Sequence, residues 1–259
     1  MQRWMFLVLC FLPLLGFGQQ PAPSKKRVLV IGAVHGFQHD SVSNAAGLIF
    51  QLGRQTGLWD TFIRTDTQLL TKRPLENAAR NLNDFDAVFF FTSGELPMTD
   101  EQKADFLSFI RDDGKGFVAA HSALDTFYMW PEYGELIGAY FDGHPWGVFR
   151  APIRNEAPES SITRHFPANF VLEDEIYQPS SLFSRERVKV LLSLDPAKVD
   201  WSVEGVKRAD KDVAVAWTRE YGKGRVFYSS LGHTTEIWGR PRVRQMYLEA
   251  MKWVLKITN

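Results

Sequence analysis

One ten-residue stretch places the strongest limit on the fold, because an apolar run in it ends in a histidine. Residues 116–125 have the sequence GFVAAHSALD. A short apolar run bounded by glycine predicts a strand that is buried on both faces, as in a parallel sheet. In doubly wound sheets the ligand crevice lies beyond the carboxyl ends of the strands. The pattern therefore predicts His121 at the mouth of a site, in a tight turn after the strand. The alternative is a buried histidine bonded to a neighbouring loop.

The chain up to this stretch alternates between strand-like and helix-like patterns. Apolar or alternating runs predict strands at residues 27–32, 59–64, 85–92 and 116–120. Helices are predicted at residues 41–57 and 99–113, and Asp40 or Ser41 is the expected N-cap of the first. Such a βαβαβ order predicts a mainly parallel sheet with right-handed crossovers.

The second half of the chain predicts further strands and a closing helix. The strands are expected at residues 151–158, 188–193, 213–218 and 224–229. The first of these is expected at the edge of the sheet. The sequence YGKG at 221–224 predicts a hairpin turn, and residues 241–257 predict an amphipathic helix. Residues 27–259 are thus expected to form a single α/β domain in which helices flank the sheet.

The N-terminus has the pattern of a secretory signal peptide. An apolar run from Met5 to Phe17 follows Arg3, and it is too short for a membrane span of about 20 residues. Small residues before Gln19 predict cleavage after residue 18, followed by a flexible leader at 19–26. We therefore expect a secreted, periplasmic protein with no stable membrane insertion after cleavage. The alternative is a retained N-terminal anchor.

Composition excludes several kinds of chemistry. Cys10 is the only cysteine, so a mature chain without the signal peptide has no disulfide, no thiolate ligand and no cysteine nucleophile. The 30 basic and 30 acidic residues form no basic block, which argues against nucleic acid as a partner. Several tryptophans and tyrosines lie in predicted loops, which is typical of sugar-binding clefts, although core filling explains most aromatic residues. The sequence leaves open whether identical chains associate.

Five segments of the chain occur in a characteristic order. They are GFQHDS at 36–41, GFVAAHSA at 116–123, GAYF at 138–141 with HP at 144–145, DEIY at 174–177, and YGKGRVF at 221–227 running into GH at 232–233. In this order they resemble the ThuA-like family, which is named for a trehalose-utilisation protein. The resemblance covers about residues 27–255. It implies a flavodoxin-like, class I glutamine amidotransferase-like α/β fold and a carbohydrate substrate.

The resemblance also locates a departure from amidotransferases, in which a cysteine nucleophile occupies the turn after the central strand. Here His121 occupies that turn, so the fold does not imply glutaminase activity. His233 and Glu236 resemble the late His–Glu pair of amidotransferases, with one extra residue between them. We therefore expect His121, His233 and Glu236 to be catalytic.

Further residues are candidates for substrate or metal binding at the same sheet edge. The substrate-binding candidates are His35, His39, Glu95, His144, Trp146, Glu175, Tyr177 and Trp238. The two tryptophans are expected to be ring-stacking walls for a sugar. If the protein binds a metal, we expect a divalent transition metal such as zinc at His35, His121, His144 and His233, since imidazole is its commonest ligand. The alternatives are metal-free acid–base chemistry, or ordinary roles in loops, turns and caps.

Three functions remain open from the sequence. The first, which the family resemblance implies, is a secreted hydrolase or lyase of glucoside or disaccharide utilisation that acts through 3-keto sugars. A ketone at carbon 3 acidifies the proton at carbon 2, so a histidine base can eliminate the glycosidic group. This chemistry explains the lack of a clear pair of catalytic carboxylates of the glycosidase kind. The second is a sugar-binding module without activity, and the third is an unrelated metal-dependent hydrolase of esters or amides.

Overall fold

A computed structural model describes residues 25–257, so the predicted signal peptide and most of the predicted leader lie outside the described part. The described residues form one nine-stranded mixed sheet in the order β2-β1-β3-β4-β9-β8-β7-β5-β6. The strands are β1 Lys26–Ile31, β2 Trp59–Arg64, β3 Ala87–Phe90, β4 Gly116–Ala120, β5 Val148–Asn155, β6 Asn169–Glu175, β7 Lys189–Leu194, β8 Ala214–Tyr221 and β9 Gly224–Ser229. The helices are α1 Val42–Thr56, α2 Asp100–Arg111, α3 Pro131–Ile137 and α4 Pro241–Val254. Short 3₁₀ turns cover Leu82–Asp84, His121–Asp125 and Glu236–Gly239.

The first half of the sheet is parallel. Strands β2, β1, β3, β4 and β9 pair in parallel with one another in this order, so they all end at the same edge. This confirms the predicted α/β fold and the common edge of β1, β3, β4 and β9. The remaining strands, β8, β7, β5 and β6, pair in antiparallel fashion.

Helices cover both faces of the sheet, because the strands in its centre are apolar on both sides. On one face, α1 and α4 bury residues such as Leu48 and Met246. On the other, α2 and α3 bury Phe106 and Tyr133, which pack around Phe90 of β3. Between residues 25 and 257, no helix combines the length and the apolar character needed to cross a membrane.

The expected edge strand lies inside the sheet instead. Strand β5 pairs with β6 on one side and β7 on the other, so β6 and β2 are the two edges. Pro152, which lacks an N–H, is tolerated because the β5–β7 pairing covers only Ile153 to Asn155. Its carbonyl accepts a hydrogen bond from Asp195 N at 2.8 Å.

Two turns position the site, and the first differs from the sequence-based expectation. The Ser41 side chain does not cap α1; its hydroxyl donates to the Gly232 carbonyl at 2.6 Å. This bond ties the loop before α1 to the loop after β9. After His121 the tight turn expected from the sequence is a 3₁₀ turn. Asp125, its last residue, accepts a hydrogen bond from the Tyr128 hydroxyl at 2.7 Å.

Candidate functional site

Three histidines and one glutamate converge at the carboxyl edge of the parallel strands. They are His39, His121, Glu175 and His233, and one nitrogen or oxygen of each lies within 4.8 Å of those of the other three. Three of the four side chains are buried, and 27% of the His233 side chain is exposed. We call these residues the four-residue cluster. Ionisable side chains packed this closely together are typical of a functional site.

Four separate parts of the fold supply the cluster. His39 lies in the loop between β1 and α1, His121 follows β4, and His233 follows β9. Glu175 is the last residue of β6, the edge strand at the other end of the sheet. The chain leaving β6 passes over the end of β9, where Tyr177 N donates to Ser230 Oγ at 2.8 Å. This path brings Glu175 back to the parallel edge.

A close approach between two turns fixes the position of His121. Its backbone has φ +45°, a left-handed conformation that is uncommon for residues other than glycine. A Cβ atom at Gly232 would lie 2.9 Å from His121 Cβ and 3.0 Å from Trp238 Cζ2, so only glycine fits there without displacement. The ring nitrogen Nδ1 of His121 donates to the Ser230 carbonyl at 2.6 Å. In the neutral ring this bond leaves Nε2 as the acceptor facing the cluster.

Glu175 is the centre of the charge arrangement. Its Oε2 lies 3.5 Å from His121 Nε2 and 3.1 Å from His233 Nδ1, and its Oε1 lies 3.3 Å from His144 Nδ1. Burial alone would raise the pKa of Glu175, but its polar contacts with His121 and His233 and the electrostatic influence of these imidazoles outweigh it and hold the pKa well below its usual range. Glu175 is therefore an ionised carboxylate in contact with three imidazoles.

The same environment shifts the pKa values of His39 and His233 in opposite directions. Burial, together with the nearby His121 and His233, lowers the pKa of His39 to about 3, so His39 is neutral at physiological pH. The polar contact with the Glu175 carboxylate has the largest influence on His233 and raises its pKa. The cluster thus contains one neutral imidazole and one that holds a proton more readily than a free histidine.

Aromatic rings enclose the cluster. The Tyr177 ring lies 4.1 Å from the His121 ring and 4.4 Å from the Phe141 ring, measured between centroids. Phe37 packs edge-on against His39 at 4.8 Å between centroids, yet 65% of it is exposed. His144, half exposed, lies beside Phe141 at 5.6 Å. These rings form an apolar rim that opens to solvent.

Asp174 is a supporting residue that the sequence analysis did not select. Its buried carboxylate accepts backbone hydrogen bonds from Gly232 N at 2.7 Å and Thr234 N at 3.0 Å. These bonds hold the loop that carries His233. The two adjacent carboxylates of the DEIY segment were the sequence signal that could have identified Asp174. Nothing in the pattern, however, showed that Glu175 contacts the histidines while Asp174 supports the loop.

Replacing Asp174 by asparagine should lower the free energy of unfolding by about 1–3 kcal/mol, because an NH₂ group then faces one of two buried N–H donors. Chemical denaturation measures the change. Glu173→Gln is the matched control, since Glu173 is the exposed neighbour on the same strand. Equal stability of the two variants would show that the Asp174 bonds contribute nothing.

Comparison with known proteins identifies the family. A family model described as "Trehalose utilisation", ThuA, matches residues 27–254, nearly all of the described chain. The chain belongs to the ThuA family. A search of the curated proteins found no match to this sequence.

Solved structures agree with the ThuA assignment. A ThuA-like protein from Bacteroides uniformis is 20% identical, with a TM-score of 0.72, and the match covers 92% of this chain and 95% of that one. A ThuA-like protein from Parabacteroides merdae is 15% identical, with a TM-score of 0.66 and 90% of both chains covered. The carbohydrate deacetylase Agd3 is 11% identical with a TM-score of 0.54, and the match covers 90% of this chain but 32% of that one. At these identities the structures show a shared fold.

Several expected site residues of this ThuA-family chain lie apart from the cluster. His35 is exposed and lines a different cleft with Thr67 and Gln102, and its backbone N–H donates to the Ser93 carbonyl at 2.8 Å. Glu95 is exposed, and its Oε1 accepts a hydrogen bond from Met129 N at 3.0 Å. The metal-binding residues expected from the sequence therefore differ from the four-residue cluster. His35 lies outside the cluster, and His144 contacts Glu175 Oε1, whereas His121 and His233 contact Oε2.

The late His–Glu pair and the two tryptophans also differ from the expectation. Glu236 is exposed in a 3₁₀ turn, and it makes no ion pair with His233 within residues 25–257. Trp238 is buried against Tyr247 at 4.9 Å and donates to the Gly232 carbonyl, so it has no free face. Trp146 packs on Trp201 and donates to Asp200 O at 2.8 Å. Both tryptophans support the fold instead of forming walls beside the cluster.

Proposed function

We propose that this ThuA-family chain is an enzyme of carbohydrate utilisation that acts on a glycoside, or on its 3-keto form, at the four-residue cluster. The observation that carries the proposal is the contact of the ionised Glu175 carboxylate with both His121 Nε2 and His233 Nδ1, the second of which belongs to an imidazole with a raised pKa. The family's link to trehalose utilisation supports a sugar as substrate. The aromatic rim of Phe37 and Phe141 offers apolar faces to a sugar ring.

The geometry fits elimination from a 3-keto glycoside. His121 Nε2 takes the acidified proton from carbon 2, and Glu175 beside it stabilises the imidazolium that forms. The electrons left on carbon 2 form a double bond to carbon 1 as the bond from carbon 1 to the glycosidic oxygen breaks. Protonated His233 gives its proton to that departing oxygen. The products are an unsaturated keto sugar and a free alcohol, and no pair of glycosidase carboxylates is required.

A second candidate is hydrolysis of an ester or amide on a carbohydrate with the help of a metal ion. A catalytic zinc site uses three protein ligands and keeps a further position for water, and the three imidazoles and one carboxylate here contain such a set. The similar fold of a carbohydrate deacetylase is consistent with this chemistry. In that reaction the cluster would activate a water molecule rather than remove a carbon-bound proton.

We also propose secretion to the periplasm, because a predicted signal peptide and a short predicted leader precede β1 in the sequence. A chain without cysteine after residue 10 suits an oxidising compartment. N-terminal sequencing of the protein from a periplasmic extract should find a start near Gln19. Recovery of the intact N-terminus in a membrane fraction would contradict this.

The test of the proposed function is a substrate screen on the purified protein. Trehalose and other glucosides, their 3-keto forms and acetylated sugars are incubated with the chain, and products are identified by mass spectrometry. Release of an alcohol with an unsaturated keto sugar supports elimination, whereas release of acetate supports the second candidate. Saturable sugar binding with no product in any set would show a binding module and overturn the enzyme proposal.

A further inference from the structure

We infer that His39, His121, Glu175 and His233 bind one divalent transition-metal ion, with zinc as the first candidate. The donor atoms are His39 Nε2, His121 Nε2, His233 Nδ1 and Glu175 Oε2. This set differs from the one that the sequence predicted, and it stands on donor geometry alone. The inference therefore holds whether or not the site acts on a sugar.

The spacing of the donor atoms fits a single ion. Zinc bonds to nitrogen and oxygen are about 2.0–2.1 Å long, so neighbouring donors lie about 3.3 Å apart around a tetrahedral ion. His39 Nε2 lies 3.2 Å from His121 Nε2, His121 Nε2 lies 3.5 Å from Glu175 Oε2, and Glu175 Oε2 lies 3.1 Å from His233 Nδ1. All four donors fall within 4.8 Å of one another.

The direction of the lone pairs supports a cation at the centre. The bond from His121 Nδ1 to the Ser230 carbonyl leaves the Nε2 lone pair facing the Glu175 carboxylate, which repels it. A hydrogen bond from the second shell that fixes the tautomer in this way is the usual arrangement for a metal-binding histidine. His233 Nδ1 is buried 3.1 Å from Glu175 Oε2, yet it makes no hydrogen bond of acceptable geometry in the described chain. One cation between the groups satisfies all of them.

The surroundings provide the remaining parts of a metal site. Asp174 holds the loop of His233 through two backbone bonds, and His144 contacts Glu175 Oε1, which orients the carboxylate. The partly exposed His233 and His144 mark the path by which an ion and a water molecule enter. Imidazole and carboxylate donors favour zinc, cobalt or nickel over calcium and magnesium, which prefer all-oxygen sites.

The experiment measures metal binding to the full mature chain. After dialysis against a chelator, the protein is titrated with ZnCl₂ by calorimetry, and the bound metal is counted by elemental analysis. We expect one zinc per chain and a rise in melting temperature with added zinc. His233→Ala should weaken zinc binding at least about 100-fold, since even second-shell changes cost about 10–100-fold. His233 is the first choice because it is only partly buried, so the variant is expected to fold.

His165→Ala is the matched control, since His165 lies away from the cluster and bonds the Arg242 carbonyl. Circular dichroism verifies that each variant is folded. Less than a tenth of an equivalent of zinc, cobalt or nickel on the folded wild-type chain, with no thermal shift, would overturn the inference. Activity on a sugar by a chain that binds none of these metals would overturn the inference and leave the proposed function intact. Zinc binding without activity on any sugar would support the inference and overturn the proposed function.

Discussion

Replacing His121 by asparagine should lower kcat on the true substrate by about 100-fold or more, as expected for loss of an acid–base or metal-binding group. The asparagine amide can keep the hydrogen bond to the Ser230 carbonyl that His121 Nδ1 makes. It cannot replace Nε2, which faces His39 and Glu175. Steady-state kinetics should therefore show a loss of turnover, while the melting temperature changes little.

The matched control for this variant is His35→Asn. Both histidines follow parallel strands, and sequence reasoning assigned both to the site. His35, however, is exposed and lies outside the four-residue cluster. We expect its variant to keep activity within about twofold, because no acid–base group is lost. Equal activity of both variants and the wild-type chain would make the cluster structural and remove the basis for an enzyme.

Replacing Glu175 by glutamine should lower turnover by a similar factor, about 100-fold or more. Between residues 25 and 257, its carboxylate is the single negative charge within 3.5 Å of His121, His144 and His233. Glutamine is nearly the same size, so the packing is preserved while the charge is lost. The imidazolium that forms during proton transfer then has no counter-charge, and a metal ion loses its only anionic donor.

Glu236→Gln is the control that separates two descriptions of the site. Sequence reasoning paired Glu236 with His233, whereas the structure pairs Glu175 with His233. Kinetic constants for both variants on one substrate make the comparison direct. A large loss in Glu236→Gln together with an unchanged Glu175→Gln would restore the amidotransferase-like pair and refute the arrangement described here.

Most of the fold follows from local patterns in the sequence. Strands β2, β4 and β9 lie where the apolar runs predict them, and the turn between β8 and β9 closes at Tyr221 and Gly224 as expected. These elements are set by apolar periodicity and turn residues, which act over a few positions. The interior position of β5 was missed because the number of neighbours of a strand depends on distant segments.

The site was only partly predictable for the same reason. His121 and His233 were identified because each follows a parallel strand, which fixes the sheet edge where it lies. The choice between His35 and His39 depends on how their loop packs against distant segments, for example through the bond from Ser41 to Gly232, 191 positions away. The choice of Glu175 depends on the path of the chain after the far edge strand, which no local pattern encodes.

The return of the chain from β6 also has a consequence for folding. The cluster joins residues separated by almost the whole domain, so closing it carries a large loss of chain entropy and occurs late. Until β6 and β9 have both docked, no partly folded chain contains the site, and a ligand there binds the native state alone. At a concentration of 100 times its Kd, such a ligand adds about 2.7 kcal/mol to the stability of the entire domain. Occupancy of the site therefore protects distant helices such as α2 from unfolding, although they do not touch it.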